Sequence, residues 1–598
     1  MVTLLSLAAS ALAAGPAARP AIVGAASRSV RLSLVLPLMT DTAGLARLAT
    51  AITTPGSPMY DHYQSIGSLV RRFGAPAPER ARVLAYLRGA GATGVSIDRS
   101  GLFADASMSV GQAHRMFGVG LADFRRGGAT VARYVAPTSA VRIPAALRGA
   151  VTGVVGLDTL ALTSPRPSSA SWAASALPPG PGPAFDRRGA GPGVVPSGYR
   201  DRSGTPSGCP PALAGRGFTP SQYLNAYGYG PLFSAGLTGG GEHVALIEIN
   251  GYKPADIATY AACFGIPVPQ ISTHRFGLSH LAAPGGETTL DLEVLSGAAP
   301  GLSGIDVYES SPHASDVLRA LTVPVTRPDP PAVISASLGD CERDTKLALG
   351  GKGIATVEAS LQMAAARGIS VLASSGDAGS SACLDEHGEP IPVKAVSFPA
   401  SSPWVTGVGG TNFRLNQSND ILDQLVWNDP TGATGGGNSR LFSRPPWQKN
   451  FSRTAYRAVP DVSMLGDPAP GYQIYCSVRG ECVNDESPSP WVAFGGTSAG
   501  APLLAGGLAD VDEALAHLGR RSLGLANPVF YRIHRGPYRS AVFYDVTRFN
   551  NDYFELLTGG RVSLGCCDAR YGYDTASGLG TVNLSALATA AATVVPHG

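Results

Sequence analysis

The chain has 598 residues, 15% of them charged, with a formal net charge of +3. That length exceeds one ordinary hydrophobic core and predicts two or more domains, while the near-neutral balance excludes both the basic surface of a nucleic-acid binder and a solvating acidic tail. With 75 Gly and 48 Pro, many shaped loops on a scaffold are expected, as in enzymes.

The opening MVTLLSLAASALAAGPAA sets a short apolar stretch before small residues, so residues 1–27 read as a secretory signal, although no Lys or Arg precedes the apolar part. Residues 28–160 alternate strand-like runs such as RLSLVLPLM with helical ones such as RARVLAYLRGAG, which predicts a compact α+β module. Residues 161–208 are dominated by Pro, Gly, Ser and Ala and read as an exposed, cleavable linker, because such a tract buries too little apolar surface to order itself. From 209 to 598, apolar runs (HVALIEI, AVISASLG, GISVLASSG) alternate with helical segments such as TVEASLQMAAARG. This pattern predicts a doubly wound, mostly parallel α/β sheet with its active site at the carboxyl ends of the strands. No later stretch reaches the roughly 18 uninterrupted apolar residues of a membrane span, so no membrane anchor is expected. All eight cysteines lie beyond residue 208 without a paired CxxC spacing for zinc; in an exported chain their even number suggests disulfides, whose pairing the sequence leaves open.

Three segments carry chemistry. Gly286-Glu287-Thr288-Thr289-Leu290-Asp291 puts two carboxyls at i, i+4, on one face of a helix; they are either a solvated face, as such pairs usually are, or a partly buried pair that cannot both ionise cheaply and has one pKa raised. Ile369 to Gly379 reads as a strand ending in a Gly-Asp turn, where Asp377 either closes the turn or, protonated, donates to an oxyanion. Phe494-Gly495-Gly496-Thr497-Ser498-Ala499-Gly500 places a serine at the start of an apolar helix, where backbone N–H groups can hold a developing oxyanion. The same residues satisfy the G-x-S-x-G of an α/β-hydrolase elbow, with His517 and His534 downstream, so a serine esterase is an alternative. A catalytically inactive binding protein on the same scaffold is another.

Together these segments resemble the sedolisins, the serine-carboxyl peptidases with a subtilisin-like catalytic fold. FPASSPWVTGVGGT (398–411), GGGNSRLFSRPPWQ (435–448) and VPDVSMLGDPAPGY (459–472) extend the resemblance, and TTPGSPMYDHY (53–63) with YVAPTSAVRIPAALRGAVTGVVGLD (134–158) resembles the family's activation domain. The resemblance implies a secreted, acid-active endopeptidase that processes itself from a proenzyme and acts as a monomer on protein or peptide substrates, with its own activation domain as intramolecular inhibitor. It implies Ser498 as nucleophile, Glu287 as general base and later acid, Asp291 as the residue that tunes Glu287, and Asp377 as oxyanion donor. In VALIEINGY, which is similar to the strand carrying the subtilisin triad Asp, Glu248 stands at that position and none of the histidines has a subtilisin-like H-G-T context. Glu248 is thereby a candidate to hydrogen-bond onward from Asp291.

The resemblance also implies that Ser335, Ser337 and Gly339 flank the substrate, which would pair with their backbone by strand addition. Here Leu338 stands where an aromatic is common. Near the C-terminus, Asp545-Val546 and Arg570 to Asp574 resemble the two arms of the family's single structural calcium site. The implied ligands are the Asp545 and Asp574 carboxylates with the carbonyls of Val546, Arg570 and Gly572. The stretch between the arms is longer than the family pattern and contains Cys566-Cys567, and Thr575 replaces a frequent proline.

Overall fold

A computed structural model describes residues 21–126, 132–161, 168–169, 196–385, 389–485 and 487–597. Residues 1–20 of the expected signal lie outside it, but Ala21–Ala25 is a strand paired antiparallel with Leu121–Arg126. The ordered first domain therefore begins by residue 21, inside the segment expected as signal, because this strand belongs to its sheet.

That domain is α+β, as the alternation predicted. Arg31–Pro37, Phe103–Ser109 and Thr93–Ile97 form one antiparallel sheet, and Ala21–Ala25, Leu121–Arg126 and Ala132–Pro137 another. Strand Arg31–Pro37 turns Leu32, Leu34 and Leu36 into the domain's own core, whereas Val35 faces the other way, into a core shared with the catalytic domain. In that shared core, Leu45, Leu48 and Ile52 of helix Thr42–Thr53 meet Val357 and Leu361 of helix Glu342–Arg367. Polar contacts fasten the edge: Arg319, in helix Ala314–Thr322, donates to Asp105 at 2.7 Å, to Ser33 at 2.8 Å and to the Leu34 carbonyl at 2.9 Å.

The catalytic domain is built on a sheet whose spatial order is Phe543–Tyr544, Thr581–Val582, Val462–Leu465, Thr406–Leu415, Ser370–Ser374, Val333–Ala336, His243–Glu248, Gly304–Ser310 and Ile271–Phe276. Ile421–Val426 folds back antiparallel on Thr406–Leu415, the pairing at the Phe543 edge is also antiparallel, and all the remaining pairings are parallel. Strands buried on both faces read as near-continuous apolar runs, which is why HVALIEI and AVISASLG were legible. On one face, helices Gly286–Ala298 and Thr497–His517 pack against each other; every residue of the first is buried, as is Thr497 to Leu515 of the second.

The structured catalytic domain begins before residue 209. Tyr199 is buried under the guanidinium groups of Arg414 and Arg548, and its carbonyl accepts from Asn412, so the end of the expected linker is ordered by aromatic and hydrogen-bond contacts that composition does not register. The cysteines pair as Cys209–Cys263, Cys341–Cys383, Cys476–Cys482 and Cys566–Cys567. Among the described residues no helix is long and apolar enough to cross a membrane.

Candidate active site

Strands His243–Glu248, Val333–Ala336 and Ser370–Ser374 are neighbours in the sheet and parallel, so their carboxyl ends open side by side. Glu248, Ser337 and Asp377 come from those three ends. Facing them are the first turns of the two packed helices, which bring Glu287 with Asp291, and Ser498. The six carboxyl and hydroxyl groups named from sequence thus converge from five separate segments. All but the half-buried Asp377 are buried: Ser498 and Asp291 have no exposed surface, and Glu287 keeps 3%.

Burial dominates the electrostatics. It pushes the Glu287 carboxyl well above its usual range, the charge of Asp291 adds to the rise, and the nearby Ser498 hydroxyl works against it. No hydrogen bond yet closes between them: Ser498 Oγ and both Glu287 oxygens are without a partner among the described residues. Asp291 is likewise raised, by burial and then by the charge of Glu248, while a 2.6 Å hydrogen bond from Ser337 Oγ opposes the rise. Glu248 is pushed up to about 8 by burial and by Glu287, and accepts from Thr288 Oγ1 at 3.0 Å. The three acids therefore titrate as one set of groups, with charge on one opposing charge on the next.

Asp377 is raised to about 6 by burial, against hydrogen bonds from Thr497. Its Oδ1 accepts from the Thr497 N–H at 2.8 Å and from Thr497 Oγ1 at 2.9 Å, whereas Oδ2 is buried without a partner. A Cβ at Gly496 would lie 2.7 Å from that Oδ2, and Gly496 has φ +110°, so glycine is required there on both steric and backbone grounds. The G-G-T-S run thus fits the carboxyl against the turn that presents Ser498.

The Ser335 and Ser337 side chains are fully buried, and Ser337 is turned onto Asp291, so only the backbone of this segment is left to meet a substrate. Gly339 packs against the Phe398 carbonyl, which a Cβ would approach to 2.9 Å. Neither histidine named for the esterase role lies at Ser498. His517 ends the helix that Ser498 begins, about 28 Å away at 1.5 Å per residue, and His534 is buried between Phe451 and Phe543. His243 starts its strand, at the opposite end from Glu248. Sequence reasoning passed over Thr288, Thr497 and Glu481, whose Oε1 accepts from the Gly286 N–H at 2.9 Å beside Glu287. The two threonines stood inside the motifs, but Glu481 lies in the Cys476–Cys482 loop and had no local signal.

At the C-terminal arms, Asp545 Oδ2 accepts from Gly572 N at 2.8 Å and from Arg539 at 2.9 Å, and Oδ1 is buried without a partner. Asp574 accepts from the N–H groups of Arg570, Ala576 and Ser577, each at 2.8 Å, and burial raises it to about 6. Half-buried Asp545, with one open oxygen, and buried Asp574 supply oxygen donors of the kind a hard cation takes.

Ser168–Ser169 pair antiparallel with Phe494–Gly495, on the strand that runs into Ser498. The folded first domain sits instead on helices Ala314–Thr322 and Glu342–Arg367, so it is the linker, rather than residues 28–160, that reaches the nucleophile strand.

Comparison with known proteins gives two family matches: residues 24–160 match the activation domain of pro-kumamolisin, and residues 279–524 match the subtilase family. Kumamolisin of Bacillus sp. (strain MN-32) is 31% identical over 511 residues, covering 82% of this chain and 79% of the relative. Tripeptidyl-peptidase 1 of Bos taurus is 28% identical over 94% of this chain and 92% of its own length. Among solved structures, a Pseudomonas sedolisin, a serine-carboxyl proteinase complexed with two molecules of pseudo-iodotyrostatin, aligns with a TM-score of 0.53 at 25% identity. It covers 64% of this chain and 99% of that one.

Proposed function

We propose, from the premise that this chain belongs to the sedolisin family of serine peptidases and carries the family's activation domain, that it is a secreted, acid-active endopeptidase which releases itself from its own precursor. The observation that carries the reading is the convergence of Glu287, Asp291 and Asp377 on Ser498, where the charges acting on the acids are chiefly those of other carboxylates.

In this mechanism Ser498 Oγ attacks the peptide carbonyl and Glu287, ionised, takes its proton. Asp291 and Glu248 set how readily Glu287 does so. Asp377, protonated, donates from Oδ2 to the oxygen that gains charge, and Glu287 then returns its proton to the leaving amine. Water repeats the sequence on the acyl-enzyme, with Glu287 again as base. In the precursor the site is sealed, and burial is the main force holding Glu287 protonated; opening the cleft rehydrates it and lets it ionise. The pairing of linker residues with the nucleophile strand supports the linker as first substrate.

One calcium ion, held by the Asp545 and Asp574 carboxylates with carbonyls of Val546, Arg570 and Gly572, would supply fixed positive charge that ties the C-terminal turn to the catalytic domain. The four disulfides fit an exported protein. Casein clearing at acidic pH, lost in Ser498→Ala and Glu287→Gln, tests the reading; short-chain ester hydrolysis at neutral pH without casein clearing would overturn it.

A further inference from the structure

Ser337 holds a position that the mechanism above does not use. It follows the central strand Val333–Ala336, is 1% exposed, and its Oγ stands 2.6 Å from Asp291 Oδ2 and 3.1 Å from the carbonyl oxygen of Ser498. A serine hydroxyl has one proton and two lone pairs, so it cannot donate to both acceptors at once. Which one it serves depends on Asp291. When Asp291 is ionised, the hydroxyl donates to it over the shorter contact. When Asp291 is protonated, its Oδ2–H donates to Ser337 Oγ, and the serine proton is released to the Ser498 carbonyl. Beyond the Glu248 carboxyl, with which Asp291 shares a hydrogen bond, Ser337 is the one hydroxyl that bonds this acid among the described residues.

We infer that Ser337 is a positioning residue for the reaction: it sets the charge and orientation of Asp291 and couples them to the backbone that carries the nucleophile. The inference rests on the proposed serine-carboxyl mechanism. Leu338, where an aromatic is common, offers no polar atom to the acids, which leaves the neighbouring hydroxyl as the polar contact this strand makes with them.

The physical consequence has a sign. A donor to a buried carboxylate favours its ionised form, so deleting the hydroxyl raises Asp291, removes negative charge from beside Glu287 and lets Glu287 ionise more readily, which moves the acid limb of activity to lower pH. A hydrogen bond to a charged group corresponds to a change of roughly 10- to 100-fold, or about one pH unit or more. The experiment compares matured wild type, Ser337→Ala, Ser337→Thr and Glu287→Gln on a chromogenic peptide from pH 2 to 8, with Tm recorded for each. Ser337→Ala is expected to lower kcat by about 10- to 100-fold with KM within about twofold, and to shift the acid limb downward by about one unit. Ser337→Thr, which keeps the hydroxyl, is expected to restore the limb. If a variant precursor fails to mature, the pH dependence of its self-processing rate carries the same expectation. An unshifted limb in Ser337→Ala, or a raised KM at constant kcat, overturns the inference while an inactive Glu287→Gln leaves the mechanism standing; an active Glu287→Gln removes the mechanism itself.

Discussion

Asp377 gives the sharpest test of the carboxylate mechanism, because the structure assigns different tasks to its two oxygens. Oδ1 is occupied by the N–H and hydroxyl of Thr497, and Oδ2 is free to carry a proton. Burial raises the group from its ordinary 3.8 to about 6, so ionising it inside the protein costs about 3 kcal/mol more than in water. The loss of one oxyanion donor is of similar size, about 2.7–4 kcal/mol, or roughly 10²- to 10³-fold in kcat. The sign follows from the role: the donor exists below pH 6, where Asp377 is protonated, and disappears as pH rises through 6, so the alkaline limb of kcat should fall near that value. Asp377→Ala should therefore lower kcat by roughly 10²- to 10³-fold with KM nearly unchanged. Asp377→Asn presents an amide N–H at every pH while its oxygen still accepts from Thr497, so it should retain much of the activity and lose the fall near pH 6. The assay is steady-state turnover of a chromogenic peptide by matured enzyme from pH 3 to 8. An Asn variant with the wild-type alkaline limb, or an Ala variant that changes only KM, would falsify the donor role.

Ser498→Ala should leave full-length precursor intact in a purified system on electrophoresis, and normal maturation of that variant would remove self-processing. Chelator should lower the Tm of the mature protein, since an ion bound to the native state alone stabilises it by mass action, and Asp574→Ala should abolish that response. Metal analysis without calcium would end the calcium reading. His534 is buried between Phe451 and Phe543, and burial, helped by Arg539, lowers its pKa from 6.5 to about 4. A depressed folded pKa means stability that is complete above pH 6.5 and is lost as pH falls towards 4. His534→Gln should therefore narrow the difference in Tm between pH 7 and pH 4, and an unchanged difference would show that acid sensitivity arises elsewhere.

The strands of the catalytic sheet were readable because a parallel strand covered on both faces must be apolar along its whole length, and the E-x-x-x-D spacing is itself a statement about a helix face. The main chemistry-bearing residues were legible for the same reason: Gly496 and Ser498 stand in one turn, and Glu287 and Asp291 are one turn apart. Domain edges were less so. Ala21–Ala25 looked like the tail of a signal because a short edge strand of small residues has no distinctive pattern, and Tyr199 was assigned to a linker because its partners Arg414 and Arg548 are more than two hundred residues away.

What the sequence determined by itself was therefore local: which side chains share a turn or a helix face, which runs are buried, and the family those patterns resemble. The tertiary structure decided what each acid experiences. The rise of Asp377 to about 6, the sharing of charge among Glu248, Asp291 and Glu287, and the turning of Ser337 onto Asp291 all arise where separate segments meet. Burial and the Coulomb interaction depend on distance through space, and neither the depth of a carboxyl nor the identity of its neighbours is written in the order of residues along the chain.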